Sequence, residues 1–508
     1  MSRAGISRRG ILKAGAGGIA ALGGMGAMRA STYPARPNIL LIMTDQHRAD
    51  ALGADGNKVI RTPNLDQLAA EGARFRRAYV SLPSCTPGRA SLLTGMSPWG
   101  HGMLGYGTIA QRYRFEMPRM LREAGYYTVG VGKMHFTPQR NGHGFERLAL
   151  EETWYKDRFT CDYRAWLAKE APGVDCDASG LGYNDRRAIA WPHREEYHPT
   201  YWTAQQGIDF LNSYRGAEPF FLKVSFQRPH CPYDPPPRWM KAYEDADLPK
   251  AAVGKWAQEE YGKFTNPKPA DAPRGNLDAA IVRNMRQGYY GAISFVDEQI
   301  GRVLDALRKR GAMENTLIIF CADHGEMAGD QHLWRKTYAY EGSSRIPLII
   351  RWGSRVLQAF RGQAHGYPVE LRDILPTFLH LAGVRMPDEM EGRDLLPLLG
   401  GMNSGWREYL DLEHATCYYP ENCWTGLVDK RQKYVYHAYT GKEQLFDLER
   451  DPQELVDLST DADHATDLTK WRERMVRHLA LRGEEWVKGD KLVVRRKTIL
   501  YGKNYPRA

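Results

Sequence analysis

Four short apolar runs, each stopping abruptly at polar or charged residues, do most to limit the folds open to this 508-residue chain. They stand in the segments NILLIMTDQHRAD, YYTVGVGKMHF, PFFLKVSFQRPHCPY and NTLIIFCADHGE, which begin at residues 38, 126, 219 and 315. Runs of four to eight apolar residues bounded by turn formers are typical of strands buried on both faces of a parallel sheet. The chain therefore predicts a sheet whose strands end in reactive side chains.

Amphipathic helical stretches lie between these runs. Pro63 follows Thr62 as at the first position of a helix, and residues 284–311 repeat apolar side chains at helical spacing. Alternating strands and helices predict an α/β domain, in which ligands bind at the carboxyl ends of the strands. We assign this domain to residues 31–400 and expect the four run ends to converge on one edge of its sheet.

The character of the sequence changes after about residue 400. Residues 432–458 alternate apolar and polar side chains around the turn Thr440-Gly441-Lys442, which is typical of a β-hairpin. An amphipathic helical segment follows at 467–483. We therefore predict a second domain at 401–508, a smaller antiparallel sheet with one terminal helix.

The first thirty residues carry a signal of their own. The motif SRR at 7–9 stands ahead of ILK at 11–13, and a Gly/Ala-rich stretch leads to small residues near Ala30. This arrangement resembles a twin-arginine export signal peptide, which implies the twin-arginine translocase as a partner and a periplasmic or extracellular mature protein. A membrane anchor is the alternative, but a spanning helix needs about 20 strongly apolar residues. We expect no stable membrane insertion.

The net charge argues against nucleic acid as a partner. Residues 1–30 contain five basic residues and no acid, so their removal lowers the formal charge from +10 to +5. So small an excess, spread along the chain, is not the footprint of a nucleic-acid-binding surface.

The chain has seven cysteines, so at least one thiol is unpaired. Because twin-arginine cargo folds in a reducing cytosol before export, we do not expect a disulfide framework. Pairing of Cys161 with Cys176, or of Cys417 with Cys423, after export stays open.

Two of the run ends carry ligands for a hard metal ion. Asp45 and Gln46 follow the first run and Asp323 and His324 the fourth, which supplies two carboxylates, an amide oxygen and an imidazole. Such oxygen-rich donors suit a divalent cation. A single Asp-His pair more often serves in a turn, so the parallel between the two pairs carries this interpretation.

Cationic side chains are expected at the same edge of the sheet. They are Arg89, Lys133, His135, His230 and Lys336. Cations and a metal ion in one cleft repel one another unless an anion normally lies between them. Enzymes that bind and polarise sulfate or phosphate esters have this arrangement.

Cys85 stands near the start of SCTPGRASLLTG, in which Pro87 indicates the first turn of a helix. Three interpretations stay open on these residues alone: a small buried hydrophobe, a thiolate favoured by Arg89 and the helix end, or the precursor of an oxygen-bearing group. Sulfur is a poor ligand for a hard metal ion, which favours the third.

Cys-Thr-Pro-Gly-Arg at 85–89, followed by ASLLTG, resembles the signature of the sulfatases, members of the alkaline-phosphatase-like superfamily. The resemblance covers nearly the whole mature chain through the blocks NILLIMTDQ, TPNLDQLAAEGARF, GKMH, SFQRPHCPY, FVDEQIG, ADHGEMAGDQHLWRK and LFDLERDPQE. It implies a large mixed, mainly parallel sheet flanked by helices, and hydrolysis of a sulfate monoester to an alcohol or phenol plus sulfate. It also implies that a maturation enzyme oxidises Cys85 to formylglycine, whose hydrated aldehyde is the nucleophile.

Carried over residue by residue, the resemblance implies a role for each candidate. The metal ligands would be the modified Cys85 with Asp45, Gln46, Asp323 and His324. Arg89 would hold the hydrated aldehyde, and Lys133 and Lys336 would bind the sulfate oxygens. His230 would protonate the leaving group, and His135 would help to remove a proton from the second hydroxyl so that sulfate leaves.

Three positions depart from the pattern of many relatives. Gly88 stands where many have serine or alanine, Gln46 where many have a second aspartate, and His324 where many have asparagine. Cys85 and Arg89 are present with the intervening proline, so we expect modification. By family we expect Ca²⁺, with Mg²⁺ and Mn²⁺ as alternatives, since one imidazole and fewer carboxylates leave the ion open.

Two rival functions are weighed against a sulfatase. A phosphonate monoester or phosphodiester hydrolase of the same superfamily would share the formylglycine and a Gln-type ligand, but the pair Lys133 and His135 is typical of members that act on sulfate monoesters. A non-catalytic homologue that binds sulfated glycans has no need of the proton-transfer groups His135 and His230.

The natural sulfate ester is a small molecule or a glycan. The aromatic-rich segments 155–166 and 417–426 are candidates to line a sugar-binding cleft, although aromatic residues serve as often in plain packing.

Overall fold

The four apolar runs form four neighbouring strands of one sheet. They are β1 (Asn38–Asp45), β4 (Tyr127–Gly132), β6 (Phe220–Pro229) and β7 (Thr316–Ala322). They stand side by side in the order β4-β6-β1-β7, all parallel, with Leu41 of β1 opposite Lys223 of β6 and Ile319 of β7. This central position explains the unbroken apolar runs, because both faces of each strand are buried.

Four shorter strands extend this sheet. They are β2 (Ala73–Phe75), β5 (Arg147–Leu150), β8 (Leu348–Trp352) and β9 (Gln363–His365). The order of the eight strands is β5-β4-β6-β1-β7-β8-β2-β9, and β8 runs antiparallel to both of its neighbours. The expected large mixed, mainly parallel sheet is confirmed.

Helices cover both faces of the sheet. In the described ranges of the chain, the α-helices are α1 (Pro63–Glu71), α2 (Cys85–Thr94), α3 (Pro98–His101), α4 (Met117–Glu123), α5 (Asp162–Glu170), α6 (Pro199–Ser213), α7 (Pro237–Lys241), α8 (Lys255–Tyr261), α9 (Ala279–Lys309), α10 (Glu341–Ser344), α11 (Ile374–Leu381), α12 (Leu396–Leu399) and α13 (Ala465–Ala480). The helix expected after Thr62 begins at Pro63, and most of the segment 284–311 lies in α9.

The main apolar core lies between the sheet and helices α6 and α9. Leu222 and Val224 of β6 belong to the same buried cluster as Val303 of α9. On the other face of the sheet, Phe221 contacts Phe378 of α11 with ring centroids 5.8 Å apart. Because both faces are packed, the strand ends are where this sheet can meet a ligand.

The C-terminal part of the chain carries a second, smaller sheet. Its antiparallel strands, in order, are β11 (Leu410–His414), β12 (Trp424–Val428), β13 (Gln432–His437) and β14 (Lys442–Asp447). The hairpin turns at Gly441, whose φ of 79° suits glycine, and Trp471 and Met475 of α13 pack on the sheet. The predicted antiparallel sheet with a terminal helix is confirmed, whereas the domain boundary at residue 400 stays a prediction.

Two further strand pairs are short. One joins β3 (Ala78–Tyr79) to β10 (Val369–Glu370), and the other joins β15 (Val487–Lys488) to β16 (Lys491–Leu492).

The computed structural model describes residues 36–154, 161–353 and 360–507. The expected signal peptide at 1–30 and residues 155–160 of the first aromatic segment lie outside these ranges. Within them, no helix is both long enough and apolar enough to cross a membrane. All seven cysteines are free thiols in the structure.

Candidate active site

The carboxyl ends of the four central strands bring the expected site residues together. Asp45 ends β1, Lys133 follows β4, His230 follows β6 and Asp323 follows β7. A cavity of about 230 Å³ opens at this edge, lined among others by Cys85, Lys133, His135, His230 and Lys336. The convergence expected from the run ends is what the structure shows.

Cys85 is the first residue of α2 and is buried. Its Sγ lies 2.9 Å from Nζ of Lys336, 3.2 Å from Nε2 of His324 and 3.9 Å from Nζ of Lys133. Burial and the neighbouring Asp45 raise the pKa of the thiol, but Lys133 and Lys336 outweigh them, so the pKa is lowered. The amino end of the helix favours negative charge as well. The position therefore suits an anionic or oxygen-bearing group.

Four buried side chains place possible metal-binding atoms within 4.8 Å of one another: Asp45, Cys85, Asp323 and His324. Nδ1 of His324 lies 2.8 Å from the carbonyl oxygen of Gly325 and donates to it. Burial alone would lower the pKa of His324, but Asp323 outweighs it and the pKa is raised. Nε2 lies 3.5 Å from Oδ1 of Asp45 and 3.7 Å from Oδ1 of Asp323, so a cation among the three atoms could be shared by the imidazole and both carboxylates. The donor set fits a divalent cation.

Gln46 adds an orphaned oxygen beside this cluster. Its backbone N–H donates to Oδ1 of Asp323 (3.1 Å), and its Nε2 donates to the Tyr233 hydroxyl (3.3 Å) and to Oε2 of Glu326 (2.5 Å). These bonds orient the amide, yet its Oε1 is buried without a hydrogen-bond partner among the described residues. An unsatisfied buried acceptor costs about 1–3 kcal/mol, which a bound cation would offset.

Arg89 ties α2 to the acidic side chains of the site. Nε donates to Oδ2 of Asp323 (2.9 Å) and Nη2 to Oδ2 of Asp45 (3.3 Å). Nη1 donates to the carbonyl oxygen of Lys133 (2.6 Å) and to Oγ of Ser225 (3.1 Å). The guanidinium thus orients both carboxylates, while its expected bond to a modified Cys85 stays a prediction.

Lys133 forms a buried ion pair with Asp45. Burial alone would lower the pKa of the lysine, but Asp45 outweighs it and the pKa is raised. Burial likewise would raise the pKa of Asp45, but Lys133 and other nearby cations hold it well below its usual range. Nζ of Lys133 also lies 4.6 Å from the ring centroid of Trp154. The pair therefore stays charged at neutral pH.

His230 is held in one tautomer. Nδ1 donates to the carbonyl oxygen of Cys231 (2.7 Å), and Nε2 accepts from Nζ of Lys336 (3.0 Å). Burial, followed by the charge of Lys336, holds the pKa of His230 well below its usual range. The ring is therefore neutral in the free protein and offers a lone pair at Nε2.

His135 is fixed through its backbone. Its φ of 62° is left-handed, and Oε1 of Glu152 accepts both its N–H (2.5 Å) and that of Met134 (2.9 Å). Nδ1 of the ring is buried without a hydrogen-bond partner among the described residues. Burial, followed by Lys133, holds the pKa of His135 well below its usual range, so the ring is a neutral proton acceptor.

Several residues that the sequence did not single out also line the cavity. They are Tyr106, Trp154, Tyr183, Asn184, Gln227 and Thr337. Nε2 of the buried Gln227 has no hydrogen-bond partner among the described residues, so it is available to a substrate oxygen. Gln227 lies inside the block SFQRPHCPY, three residues before His230, and this spacing was the available signal. Cys417 and Tyr418, from the aromatic segment 417–426 that the sequence offered as a cleft lining, border the cavity as well.

Comparison with known proteins then decides the family. A family model named Sulfatase matches residues 37–384, more than half of the chain. The chain belongs to the sulfatase family. A second model, for the C-terminal part of N-sulphoglucosamine sulphohydrolase, matches residues 329–480 of this sulfatase.

Individual relatives agree with this assignment. An arylsulfatase of Clostridium perfringens is 38% identical over 472 residues, which cover 90% of this sulfatase and 97% of the relative. A choline-sulfatase of Rhizobium meliloti is 33% identical over 464 residues, 87% of each chain. The crystal structure of the phosphonate monoester hydrolase of Agrobacterium radiobacter is similar with a TM-score of 0.74 and 26% identity, covering 88% of this sulfatase and 96% of that chain. The protein is a sulfuric ester hydrolase with an alkaline-phosphatase-like fold.

Proposed function

We propose that this sulfatase cleaves its sulfate monoester with a formylglycine made from Cys85 and with one bound divalent cation, Ca²⁺ before Mg²⁺ or Mn²⁺. The position of Cys85 carries the proposal. Its Sγ, which stands in for the oxygens of the hydrated aldehyde, lies beside two lysines and His324 at the start of a helix. Donors and cations are thus in place for an oxygen nucleophile before any substrate arrives.

The residues that would hold the cation are Asp45, Gln46, Asp323, His324 and the modified Cys85. When bound, the cation and the hydrated aldehyde would supply a Lewis acid and the nucleophile. Arg89 keeps both carboxylates oriented through its paired hydrogen bonds. The orphaned Oε1 of Gln46 is the observation that favours a cation here.

Lys133 and Lys336 would bind the sulfate oxygens. Both ammonium groups are buried and border the cavity, and burial strengthens their attraction for an anion. The amide Nε2 of Gln227 is a further donor toward the bound ester. Together they would hold the sulfate in place and stabilise the negative charge that develops on its oxygens.

His230 would supply the proton to the leaving alcohol or phenol oxygen. An anionic sulfate beside the ring favours its charged form, and Lys336 carries a proton 3.0 Å from Nε2. His135, neutral and with an unpartnered Nδ1, would accept a proton as sulfate is released. The two rings thus have opposite tasks.

We propose a sulfated carbohydrate as the substrate class. The family model that matches residues 329–480 is named for an enzyme of N-sulphoglucosamine, a sulfated sugar. Besides its charged residues, the cavity is lined by aromatic rings and amides, including Trp154, Tyr183 and Asn184, which suit the apolar face and the hydroxyls of a sugar.

Paired kinetics test the proposal against the phosphonate monoester hydrolase alternative. We expect the mature enzyme to hydrolyse 4-nitrophenyl sulfate with a kcat/KM at least about tenfold above that for the phenyl phosphonate monoester of the same phenol. Faster phosphonate turnover would contradict a primary sulfatase function. Mass analysis of the peptide containing Cys85 tests the modification: an unmodified thiol in a fully active sample, or full activity of Cys85→Ala, would refute it.

We further propose that residues 1–30 direct export by the twin-arginine translocase after a maturation enzyme has acted on Cys85. The motif at 7–9 supports this proposal. Replacing Arg8 and Arg9 by lysine is expected to retain the protein in the cytosol. Unchanged export of that variant would contradict the proposed route.

A further inference from the structure

A second cavity of about 370 Å³, larger than the catalytic one, lies beside it. Its lining includes Phe264, Arg274, Tyr338, Tyr419, Asn422 and Trp424. The proposed reaction uses none of these residues. Two of them, Tyr338 and Tyr419, directly follow residues that border the catalytic cavity.

A wall formed by residues 337–338 and 418–419 separates the two cavities. Thr337 and Tyr418 border the catalytic cavity, while the next residues along the chain, Tyr338 and Tyr419, border the second one. Consecutive Cα atoms are about 3.8 Å apart. Asn422, which lines the second cavity, stabilises this wall because its Nδ2 donates to Oγ1 of Thr337 (2.7 Å). At these two points the wall between the cavities is therefore about one residue thick, a separation short enough for a disaccharide to span.

Arg274 is the residue that suits the second cavity to an anionic ligand. Its guanidinium lies between two rings, 4.2 Å from the centroid of Phe264 and 4.0 Å from that of Tyr419. Within residues 36–154, 161–353 and 360–507, the structure gives this guanidinium neither a carboxylate partner nor a hydrogen bond. Ring contacts of this kind leave the N–H groups of a guanidinium available, and a guanidinium with available N–H groups can bind a carboxylate or sulfate through two hydrogen bonds.

The backbone of Arg274 is fixed to the loop that carries Lys336. Arg274 pairs with Leu333 in an isolated antiparallel bridge, and the N–H of Trp334 donates to the carbonyl oxygen of Pro273 (3.0 Å). The free cation therefore keeps a set position relative to the sulfate-binding lysine.

Among the described residues that line the second cavity, unpaired cationic side chains outnumber unpaired acidic ones. Glu260 is already paired with Lys442, with Oε2 and Nζ 2.7 Å apart. Lys263, like Arg274, has no ion pair among the described residues and lies 5.5 Å from the Phe264 ring. Glu421 is the opposing acid, and it is exposed. An anionic ligand is thus favoured over a neutral or cationic one.

We propose that this cavity binds the acidic group, a carboxylate or a sulfate, of a second sugar whose neighbour places its sulfate ester in the catalytic cavity. The inference rests on the proposed carbohydrate substrate and extends it to an acidic oligosaccharide. Arg274 recognises the anion, and the rings of Tyr419 and Phe264 hold the guanidinium in place.

The test compares Arg274→Met with wild type on four substrates. Three are disaccharides with the same sulfated sugar at the reacting end and a uronic acid, a sulfated hexose or a neutral hexose beside it; the fourth is 4-nitrophenyl sulfate. We expect Arg274→Met to lower kcat/KM about tenfold to a hundredfold, mainly through KM, for whichever acidic disaccharide is preferred. The neutral disaccharide and the aryl sulfate should change less than about twofold. Comparison of the uronic acid disaccharide with the sulfated hexose disaccharide shows whether the cavity prefers a carboxylate or a sulfate.

Two further variants guard against a general loss of structure. Arg274→Lys should recover part of the preference for the acidic disaccharide, and Lys442→Arg, in the same cavity and still able to pair with Glu260, should leave it unchanged. Equal effects of Arg274→Met on all four substrates, or none on any, would overturn the inference. Failure of wild type to hydrolyse any sulfate ester would instead overturn the proposed function.

Discussion

Nζ of Lys336 lies 3.0 Å from Nε2 of His230, so the structure joins a buried cation directly to a neutral imidazole. The same Nζ is 2.9 Å from Sγ of Cys85. One lysine therefore contacts both the proposed nucleophile position and the proposed proton donor. Burial, followed by the charge of this lysine, keeps the pKa of His230 low in the free protein.

The loss of kcat on substitution of His230 should depend on the leaving group. His230→Asn is expected to lower kcat about 10²- to 10⁴-fold for an alkyl or sugar sulfate, whose leaving oxygen needs a proton. For 4-nitrophenyl sulfate, whose phenolate leaves unaided, we expect a loss of less than about tenfold. Steady-state kinetics over a series of aryl sulfates of rising phenol pKa would measure the slope. A uniform loss across the series would assign His230 to binding instead.

Removal of Gln46 should weaken cation binding. For the wild-type protein stripped by chelation, Ca²⁺ at about 100 times its Kd should stabilise the fold by about 2.7 kcal/mol. Gln46→Ala should raise the Kd at least about tenfold, because the oriented amide oxygen is lost. Calorimetric titration and metal content per chain are the readouts. The surface variant Gln67→Ala serves as the control, and equal affinity in all three proteins would exclude Gln46 as a ligand.

Gly88 is required by close packing of α2 against the end of β7. A β-carbon at this position would lie 2.8 Å from the carbonyl oxygen of Asp323 and 3.0 Å from Cγ2 of Val80. We expect Gly88→Ala to cost about 1–3 kcal/mol of unfolding free energy and to reduce turnover, since Asp323 must move. Gly366→Ala, where no atom lies within 4 Å of the added carbon, should change stability by less than about 0.5 kcal/mol. Equal stability of the two variants in urea unfolding would show that the helix shifts freely.

A buried histidine next to α2 should make the fold sensitive to acid. The N–H of Met103 donates to Nδ1 of His101, and Nε2 then donates to Oγ of Ser91. Burial, followed by Arg372, lowers the pKa of His101 to about 3. Because the unfolded ring binds a proton near pH 6.5 and the folded ring does not, stability falls as pH drops through this window.

His101→Gln should remove this part of the acid sensitivity. Between pH 7 and 5, wild type is expected to lose about 2 kcal/mol more unfolding free energy than the variant. Urea unfolding at the two pH values measures the difference. The half-buried His464, changed to glutamine, should behave as wild type, and parallel losses in His101→Gln and wild type would contradict the assignment.

The central strands and most of the site were predictable because they depend on local pattern. Strands buried on both faces must be apolar throughout, and the polar residues that end them fall at one edge of the sheet, as Asp45 and Asp323 do. The strand β2 is only three residues long, and its place between β8 and β9 depends on pairing with distant segments. No local pattern in the sequence specifies such pairing.

The backbone geometry of the loop that carries Lys336 could not be predicted from the sequence. Arg335 and Thr337 have left-handed φ values of 69° and 80°, which local sequence does not favour. Contacts from the C-terminal sheet impose them: Nε1 of Trp424 donates to the carbonyl oxygen of Thr337 (2.8 Å), and Nζ of Lys433 donates to that of Ala339 (2.9 Å).

The burial of Cys85 sets an order of events in the life of the chain. In the finished fold 2% of its surface is exposed, and its sulfur is closed in by His324 and Lys336, which are synthesised more than 230 residues later. An enzyme that oxidises this thiol must therefore reach it while the chain is still emerging or unfolded. On the proposed route, oxidation therefore precedes closure of the fold, export follows, and a molecule that folds with an unmodified Cys85 would stay inactive.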